Sequence, residues 1–342
     1  MAADLGDRAP GDAAAPSAHP VPVLRAAPGG PALDDVERRL VVLLQDDGRT
    51  SYAELSRRLG VTERTARRKV AGLQSRGVVQ IAAVTDPEVL GYSSMALLGL
   101  TLGSGATSGE LAAVIVTLPE VDYVAVTTGR FALQVEVLCH DATALRTLVD
   151  RFRQLPGVTG VDVLPYLRLH YQQARFDGGR LETDHGVRPT QLDAVDRSVV
   201  TQLAIDGRMP FSDVAAQLGV SETMVRQRFQ RLTVSGVMKV MSIANPLSLG
   251  YEATAWVAVR LGAGGRSLDV AERLTSLPAV SYVAVTAGRC DVLAEVVCEH
   301  REDLLSLVDD EIRSIDGVAD VDVSIYLDLL YKPLLPHQPP GR

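Results

Sequence analysis

Residues 59–70 read Leu59-Gly60-Val61-Thr62-Glu63-Arg64-Thr65-Ala66-Arg67-Arg68-Lys69-Val70, and this stretch decides the fold of the region around it. Gly60 can adopt the positive φ of a tight turn, and Thr62 can cap the helix that follows. Ala66 and Val70 recur at helical spacing, which places the basic side chains on the opposite face. A helix, a glycine turn and a capped helix are the pattern of a helix-turn-helix.

Two shorter helical patterns complete this unit. An apolar stripe at helical spacing begins at Val36 and continues through Leu40 to Leu44. Asp47-Gly48-Arg49 ends that helix, and Thr50 or Ser51 can cap the next. A three-helix unit is also a common structural module, so the outward residues of the third helix carry the functional prediction.

The same motifs recur at a constant offset of 159 residues. Leu59-Gly60-Val61-Thr62 returns as Leu218-Gly219-Val220-Ser221, and Asp47-Gly48-Arg49 returns as Asp206-Gly207-Arg208. Val161-Asp162-Val163 returns at 321–323, an offset of 160, so one residue is inserted in the second copy. Matches in this order predict a tandem duplication.

The second part of each unit changes to strand periodicity. In the first copy, strands are expected over 95–102, 121–128, 131–139 and 158–169, with helices over 110–118 and 142–152. The order β-α-β-β-α-β indicates a ferredoxin-like sandwich. The predicted fold class is therefore α+β, with two copies of a winged-helix-like helix-turn-helix domain plus a ferredoxin-like βαββαβ domain. Small sheets expose an edge or face, so the two sheets are expected to pair around a pseudo-twofold axis.

The predicted domain organisation follows from these patterns. It comprises a disordered tail at 1–32, helix-turn-helix domain 1 at 33–84, βαββαβ domain 1 at 90–171, a linker at 172–190, helix-turn-helix domain 2 at 191–243, βαββαβ domain 2 at 249–331, and a tail at 332–342.

Charge is unevenly distributed along a chain whose net charge is −8. Residues 33–80 hold ten Lys and Arg against seven Asp and Glu, whereas residues 250–331 hold six against fifteen. A lone charge run is usually a solvated face, but basic residues on a helix-turn-helix favour binding to double-stranded DNA. No apolar run is long enough to span a membrane. Three cysteines without a paired spacing favour a reducing, cytoplasmic location.

The third helix of each unit supplies the candidate DNA-binding residues. Arg and Gln near the start of such a helix can contact base edges, and later Lys or Arg can contact phosphates. The candidates are Thr62, Arg64, Thr65, Arg67, Arg68, Lys69, Ser221, Thr223, Arg226, Gln227, Arg228 and Arg231.

These motifs, in this order over residues 33–331, resemble the Lrp/AsnC family of feast/famine transcriptional regulators. The resemblance rests also on Leu192-Asp193-Ala194-Val195-Asp196-Arg197, on the Gly91-Tyr92 and Gly250-Tyr251 connectors and on the Thr-x-Gly turns. It implies an N-terminal DNA-binding domain and a C-terminal domain that senses an amino acid or a related small molecule. Members usually carry one unit and dimerise, so the chain resembles a fused dimer that is expected to form a homo-oligomer through its effector domains.

The resemblance also implies an effector site near the turn between the two middle strands. The candidates are Thr128, Gly129, Arg130, Ala287, Gly288, Arg289 and Asp291. The family's Gly and following Asp are both present in the second copy, whereas Ala132 replaces the Asp in the first copy. An Asp can accept hydrogen bonds from an amino group and an Ala cannot, so the second copy is expected to be the better effector site. Simple turn chemistry is the alternative role for these residues.

The sequence shows no enzymatic motif, cofactor site or metal-ligand spacing, so the chain is predicted not to be an enzyme. Glu136 and Glu295 alternate with apolar neighbours, which indicates a solvent-facing or interface position rather than catalysis. Two alternatives stay open: a sirohaem-decarboxylase-like enzyme, and a ligand-binding module that does not contact DNA.

Overall fold

The computed structural model describes residues 22–25, 33–172 and 192–336. Each copy places three helices and a strand before a βαββαβ domain, in the predicted α+β class. The first copy contains α1 (Asp35–Asp46), α2 (Tyr52–Leu59), α3 (Glu63–Ser75), β2 (Val79–Thr85), α4 (Pro87–Leu90), β3 (Ser94–Leu102), α5 (Ser108–Ile115), β4 (Val121–Thr127), β5 (Leu133–Cys139), α6 (Ala142–Arg153) and β6 (Val158–Gln172).

The second copy repeats this order. It contains α7 (Ala194–Ile205), α8 (Phe211–Leu218), α9 (Glu222–Val234), β7 (Met238–Ala244), α10 (Pro246–Leu249), β8 (Ala253–Leu261), α11 (Ser267–Thr275), β9 (Val280–Thr286), β10 (Val292–Cys298), α12 (Arg301–Ser306) and β11 (Val318–Tyr331). A short strand, β1 (Leu24–Arg25), precedes both copies.

The helix-turn-helix turns form as the sequence predicts. Gly60 and Gly219 end α2 and α8 at φ of 68° and 65°, a conformation that strains side chains with a Cβ. Thr62 and Ser221 then cap α3 and α9, each accepting a hydrogen bond from a backbone N–H three residues later.

The two helix-turn-helix units pack against each other through β2 and β7. These strands follow α3 and α9 and pair antiparallel with one another. The Gly48 N–H donates to Val240 O (2.9 Å), and the Gly207 N–H donates to Ile81 O (2.8 Å). A Cβ at Gly207 would lie 2.9 Å from Ile81 O, so this approach requires glycine. The Asp-Gly-Arg motif is therefore a contact between the copies as well as a helix terminus.

The expected pairing of the two sheets is confirmed, and it closes them into one barrel. β6 pairs with β3 through Val158–Pro165 and then with β9 of the second copy. β11 likewise pairs with β8 and then with β4 of the first copy. The described residues thus form a closed eight-stranded barrel in the order β11-β4-β5-β3-β6-β9-β10-β8. Closure removes the exposed sheet edges.

Three apolar cores stabilise the βαββαβ domains. The helices of each copy cover the outer face of their own sheet. A third core fills the barrel interior with residues of both copies, including Leu97, Tyr123, Trp256, Tyr282 and Tyr326. A fourth core is shared by the two helix-turn-helix units. The copies are therefore joined by two separate interfaces.

The predicted disorder of the N-terminal tail is wrong for residues 22–25, the part of it that the structure describes. Leu24 is buried in β1, which pairs with β11, and Arg25 forms an ion pair with Asp328 (2.6 Å). Residues 332–336 also pack onto the first copy, because Tyr92 donates its hydroxyl to Leu335 O (2.8 Å). Partners more than 200 residues away in sequence hold both segments, which explains why composition alone did not show that they pack on the fold. The predicted linker at 172–190 lies outside the described residues except for residue 172, which ends β6.

The inserted residue of the second copy lies in a π-helical segment. α6 is a regular helix, whereas α12 continues into the π-helix Leu307–Ile312. A π-helical turn accommodates one extra residue within a helix. This location agrees with the change of repeat offset from 159 to 160 before β11.

Candidate nucleic-acid interface and effector turns

The helices α3 and α9 present their apolar faces to the shared core and their polar faces outward. Ala66, Val70 and Leu73 are buried on α3, and Val225 and Leu232 are buried on α9. The candidate DNA-binding residues do not all lie on the free surface, however. The structure divides them into exposed residues, helix caps and residues that brace the domain.

Three arginines of α3 form the exposed basic surface of the first copy. Arg64, Arg67 and Arg68 are all exposed, and Arg64 and Arg68 form no ion pair among the described residues. Thr62 and Thr65 share a hydrogen bond of 2.9 Å at the start of the helix, beside these arginines. An unpaired guanidinium group has all its donors available for phosphate or base contacts.

Lys69 and Arg228, which occupy equivalent positions, brace their own domains. Lys69 forms an ion pair with Asp34, the cap of α1, and Arg228 forms one with Asp193, the cap of α7 (2.5 Å). Arg231 pairs with Asp196 (2.5 Å), whose side chain is only 1% exposed. These three candidates therefore point back to the first helix of their unit, where their charge is engaged by acidic partners.

The second copy presents a less basic outward face. Thr223 and Gln227 occupy the positions of Arg64 and Arg68, and both are exposed. Arg226 remains exposed but forms an ion pair with Glu222 one turn earlier (2.6 Å). Ser221 accepts the Met224 N–H as the helix cap. Of the basic candidates on α9, Arg226 is thus the one whose acidic partner lies on the same helix rather than on the first helix of the unit.

Two aromatic residues outside the predicted set lie beside these helices. The guanidinium carbon of Arg67 is 4.5 Å from the ring centre of Tyr52, at the start of α2. The guanidinium carbon of Arg226 is 5.3 Å from the ring of Phe211, at the start of α8. Recurrence of an aromatic at the same repeat position was the available sequence signal, but it does not show which arginines stack on it.

The candidate effector turns lie on the seam between the two copies. The Thr128 N–H donates to Ile325 O (2.9 Å), and the Ala287 N–H donates to Pro165 O (3.1 Å). Arg289 lies near two acidic residues, Asp162 of the first copy (3.3 Å) and Asp322 of the second (3.8 Å). Gly129, Gly288 and Arg130 are exposed at the turns. Each turn is therefore made partly from the last strand of the other copy.

Asp291 is engaged in local structure. One of its carboxylate oxygens accepts the Leu261 N–H (2.8 Å) at the end of β8. Ala132, at the equivalent position, has no side chain that could form this bond. The geometry agrees with the turn-chemistry alternative for this residue.

Glu136 and Glu295 lie inside the barrel. Of the two positions predicted for them, solvent-facing or interface, they therefore take the interface position. Glu136 accepts hydrogen bonds from the hydroxyls of Tyr166 and Tyr282 (both 2.8 Å), and Glu295 accepts one from Tyr326 (2.7 Å). Burial raises the pKa of both carboxyls, and the tyrosine bonds to Glu136 oppose that shift. Glu136 thus bonds to one tyrosine of each copy, whereas Glu295 bonds to a tyrosine of its own copy.

The first copy adds a second carboxyl to this interior. Asp122 lies beside Glu136, and burial and the Glu136 carboxyl together raise the pKa of Asp122 well above its usual value. The second copy has Ser281 at this position, and its hydroxyl donates to Glu295 (2.7 Å). Burial lowers the pKa of the nearby Lys332 to about 8. The barrel interior therefore differs between the copies in its titratable groups.

Sequence comparisons match the chain to three family models. A model of the AsnC-type helix-turn-helix domain matches residues 33–74 and again residues 192–233. A model of the Lrp/AsnC ligand binding domain matches residues 95–175, and a model of the PF0864 C-terminal dimeric alpha+beta barrel domain matches residues 267–333. These matches follow the predicted repeat.

Curated relatives correspond to about one copy of the repeat. An uncharacterised HTH-type transcriptional regulator of Pyrococcus abyssi is 32% identical over 139 residues, which are 40% of this chain and 87% of the relative. The HTH-type transcriptional regulator FL11 of Pyrococcus horikoshii is 30% identical over 139 residues, 40% of this chain and 91% of the relative.

One solved structure has a similar fold across both copies. The sirohaem decarboxylase NirDL gives a TM-score of 0.56 at 17% identity, covering 89% of this chain and 94% of that chain. At this identity the similarity is one of fold. Within the described residues, no helix has the length and apolar character needed to cross a membrane. The same residues contain no group of three or more His, Cys, Asp or Glu placed to hold a metal ion.

Proposed function

Because the chain belongs to the Lrp/AsnC family, we propose that it is a transcriptional regulator that binds duplex DNA through α3 and α9 and responds to a small molecule. The boundary between the DNA-binding and effector parts of each copy is proposed at residues 84–90 and 243–249, where α4 and α10 begin. A cytoplasmic location and further assembly through the effector domains belong to the same proposal.

The observation that carries this proposal is the exposed basic surface of α3. Arg64, Arg67 and Arg68 remain outward after Lys69 is assigned to the brace with Asp34. Three exposed arginines on the second helix of a helix-turn-helix suit base edges and phosphates of the major groove. The retained contacts are Thr62, Arg64, Thr65, Arg67 and Arg68 of the first copy and Ser221, Thr223, Arg226 and Gln227 of the second.

Selection of DNA from a random duplex library, followed by fluorescence anisotropy on the selected sequence, tests the proposal. The Arg64→Ala/Arg67→Ala variant is expected to lose DNA affinity without unfolding, at about 1–3 kcal/mol for each base contact. Arg146→Ala is the matched control, since it removes one exposed positive charge on α6, in the effector domain. Failure of the wild-type protein to select any duplex at low salt would contradict DNA binding.

We propose that the effector binds at the seam turns and better in the second copy. Support comes from Asp291, which can accept bonds from an amino group, and from the placement of each turn on the other copy's last strand. A thermal-shift screen with the common amino acids tests this proposal. A stabilising ligand is expected to lose its effect in Asp291→Ala and to keep it in Ala132→Ser. A shift that persists in Asp291→Ala would place the ligand elsewhere.

We propose no catalytic activity for the chain. The similarity to a sirohaem decarboxylase is one of fold, and the second-copy arginines on α9 are assigned to DNA contact or to bracing. Titration with an iron tetrapyrrole, followed by its visible absorption, tests this point. A stoichiometric spectral change combined with no DNA selection would favour the enzyme.

A further inference from the structure

The arginines of the two Asp-Gly-Arg motifs cross from one copy to the other. Arg208 donates to Gly48 O (2.8 Å) and Thr50 O (2.9 Å) of the first copy. Arg49 donates to Gly207 O (2.6 Å) and Met209 O (3.2 Å) of the second copy. These bonds to backbone carbonyls fix both guanidinium groups in place, since a side chain with two such bonds retains little rotational freedom.

We call Arg49 and Arg208 the crossing arginines, and we call α3 and α9, the helices proposed to contact DNA, the reading helices. Each crossing arginine also contacts the aromatic ring that lies beside the other copy's reading helix. The guanidinium carbon of Arg208 is 4.4 Å from the ring centre of Tyr52, the ring on which Arg67 stacks at 4.5 Å. The guanidinium carbon of Arg49 is 4.3 Å from the ring of Phe211, on which Arg226 stacks at 5.3 Å. The same stack therefore occurs twice, and each time it consists of a crossing arginine, an aromatic ring and an arginine of the reading helix.

The stack matters because an exposed arginine otherwise occupies many rotamers. Ordering a long side chain at an interface has an entropic cost, and a fixed aromatic face lowers it by holding the guanidinium group beforehand. The ring in turn is held by the crossing arginine. We infer that Arg208 positions Arg67 for base contact and Arg49 positions Arg226, so that each copy's Asp-Gly-Arg motif sets the base preference of the other copy's reading helix. This inference rests on the proposed DNA-binding function.

The two stacks differ in one respect. Arg67 lies on Tyr52 without an ion pair among the described residues, whereas Arg226 is also held by Glu222 (2.6 Å). Arg208 should therefore contribute more to the ordering of Arg67 than Arg49 contributes to the ordering of Arg226. The effect of Arg208 on the α3 half-site should exceed the effect of Arg49 on the α9 half-site.

Selection from a random duplex library with the full chain tests the inference, which requires a substitution in one copy to change base preference at the half-site of the other copy. Arg67→Ala and Arg226→Ala first identify which half-site each helix contacts. Arg208→Ala is then expected to weaken base discrimination at the α3 half-site by about threefold to tenfold, with little change at the α9 half-site. Arg49→Ala is expected to act at the α9 half-site. The double variant Arg208→Ala/Arg67→Ala should lose less base discrimination than the sum of the two single losses, because both substitutions remove the same interaction.

Substitutions of the ring test the stack without removing the hydrogen bonds that the crossing arginines donate to the other copy. Tyr52→Leu retains the Arg208 bonds to backbone carbonyls but removes the aromatic face, so it should reproduce the Arg208→Ala profile. Tyr52→Phe, which copies the second unit, should match the wild type. Equal loss at both half-sites, or loss at the same-copy half-site, would overturn the inference while DNA binding stands. A wild-type protein that selects no DNA would overturn the proposed function and the inference with it.

Discussion

The reading helices of the two copies share a scaffold but differ in the charges they leave free. In both, a basic residue at the same position, Lys69 or Arg228, reaches back to the aspartate that caps the first helix. In α3 three arginines remain outward, whereas α9 offers Thr223, Gln227 and an arginine that is already paired with Glu222. Residue counts along the two helices hide this difference, because the braces account for much of the basic charge of α9.

The comparison teaches that positive charge on a DNA-binding helix has two uses. Residues that complete a buried network stabilise the unit, and residues without a protein partner are free for phosphates and bases. Asp196, with a side chain only 1% exposed and contacted by Arg228 and Arg231, belongs to the first kind. The proposed DNA contact is thus unequal, and an asymmetric site is expected where a symmetric dimer would favour a palindrome.

The largest expected effect separates the two helices directly. Replacing Arg64, Arg67 and Arg68 together by Ala should reduce affinity for the selected duplex by about 100- to 1,000-fold, since three contacts are lost. Replacing Thr223, Arg226 and Gln227 by Ala should reduce it by about tenfold, because these residues supply fewer charged donors. Fluorescence anisotropy at one fixed salt concentration measures both. Equal losses would show that the free charges do not decide the contribution of each copy.

The ion pairs that hold the third helix of each unit to its first helix are expected to affect stability rather than DNA contact. Asp196→Ala should destabilise the chain by about 2 kcal/mol, because it removes a buried carboxylate that two arginines contact. Glu37→Ala, its equivalent in the first copy, should cost about 1 kcal/mol, since Glu37 pairs mainly with Arg76 (2.8 Å) and is more exposed. Urea unfolding followed by circular dichroism gives both values. A larger loss for Glu37→Ala would contradict the ranking of the two braces.

Transplanting the first copy's charges sharpens the comparison. Thr223→Arg/Gln227→Arg gives α9 the exposed residues of α3 and should increase affinity for random duplex DNA at low salt. The slope of log affinity against log salt should steepen by up to about 1.8, at 0.9 for each added phosphate contact. The control is Thr223→Lys, which should contribute about half of that change. An unchanged slope would mean that α9 does not approach the DNA backbone.

The smallest expected effect lies in the barrel interior. Burial raises the pKa of Asp122, Glu136 and Glu295 above their unfolded values, so the protonated carboxyls stabilise the fold fully below about pH 4. That stability is lost as pH rises through the folded-state pKa values. Glu136→Gln should therefore reduce the loss of stability that accompanies a rise in pH above about 4, because an amide does not titrate.

Glu295→Gln is the matched variant for the barrel interior. It should change the pH dependence less, because Ser281 rather than a second carboxyl lies beside Glu295. Urea midpoints at several pH values measure both variants. An effect of Glu295→Gln as large as that of Glu136→Gln would show that the Asp122–Glu136 pair does not titrate as a unit.

Much of the fold could be predicted because the decisive signals are local. The predicted strand at 121–128 is β4, and the predicted helix at 142–152 is α6, each within two residues of the structure. Gly60 and Thr62 form the predicted turn and cap. These features depend on backbone propensity and apolar periodicity over a few residues, which a single sequence records directly.

The candidate site was predicted less completely, because partners distant in sequence choose among its residues. Lys69 and Arg68 are adjacent and chemically similar, yet Lys69 pairs with Asp34 while Arg68 remains free. Helical periodicity places both on the polar side of α3 and cannot separate them. Likewise, no local pattern shows that Arg208 contacts Tyr52, 156 residues earlier in the chain.

The sequence by itself determined that the chain is a near-duplicate, that each copy joins a helix-turn-helix to a βαββαβ domain, and that one residue is inserted in the second copy. Only the tertiary structure decided that β6 and β11 exchange partners to close one barrel, that β2 and β7 join the DNA-binding units, and which arginines remain free. The physical reason is that local propensity is encoded in neighbouring residues. Strand exchange and ion pairing instead depend on which surfaces meet once both copies have folded.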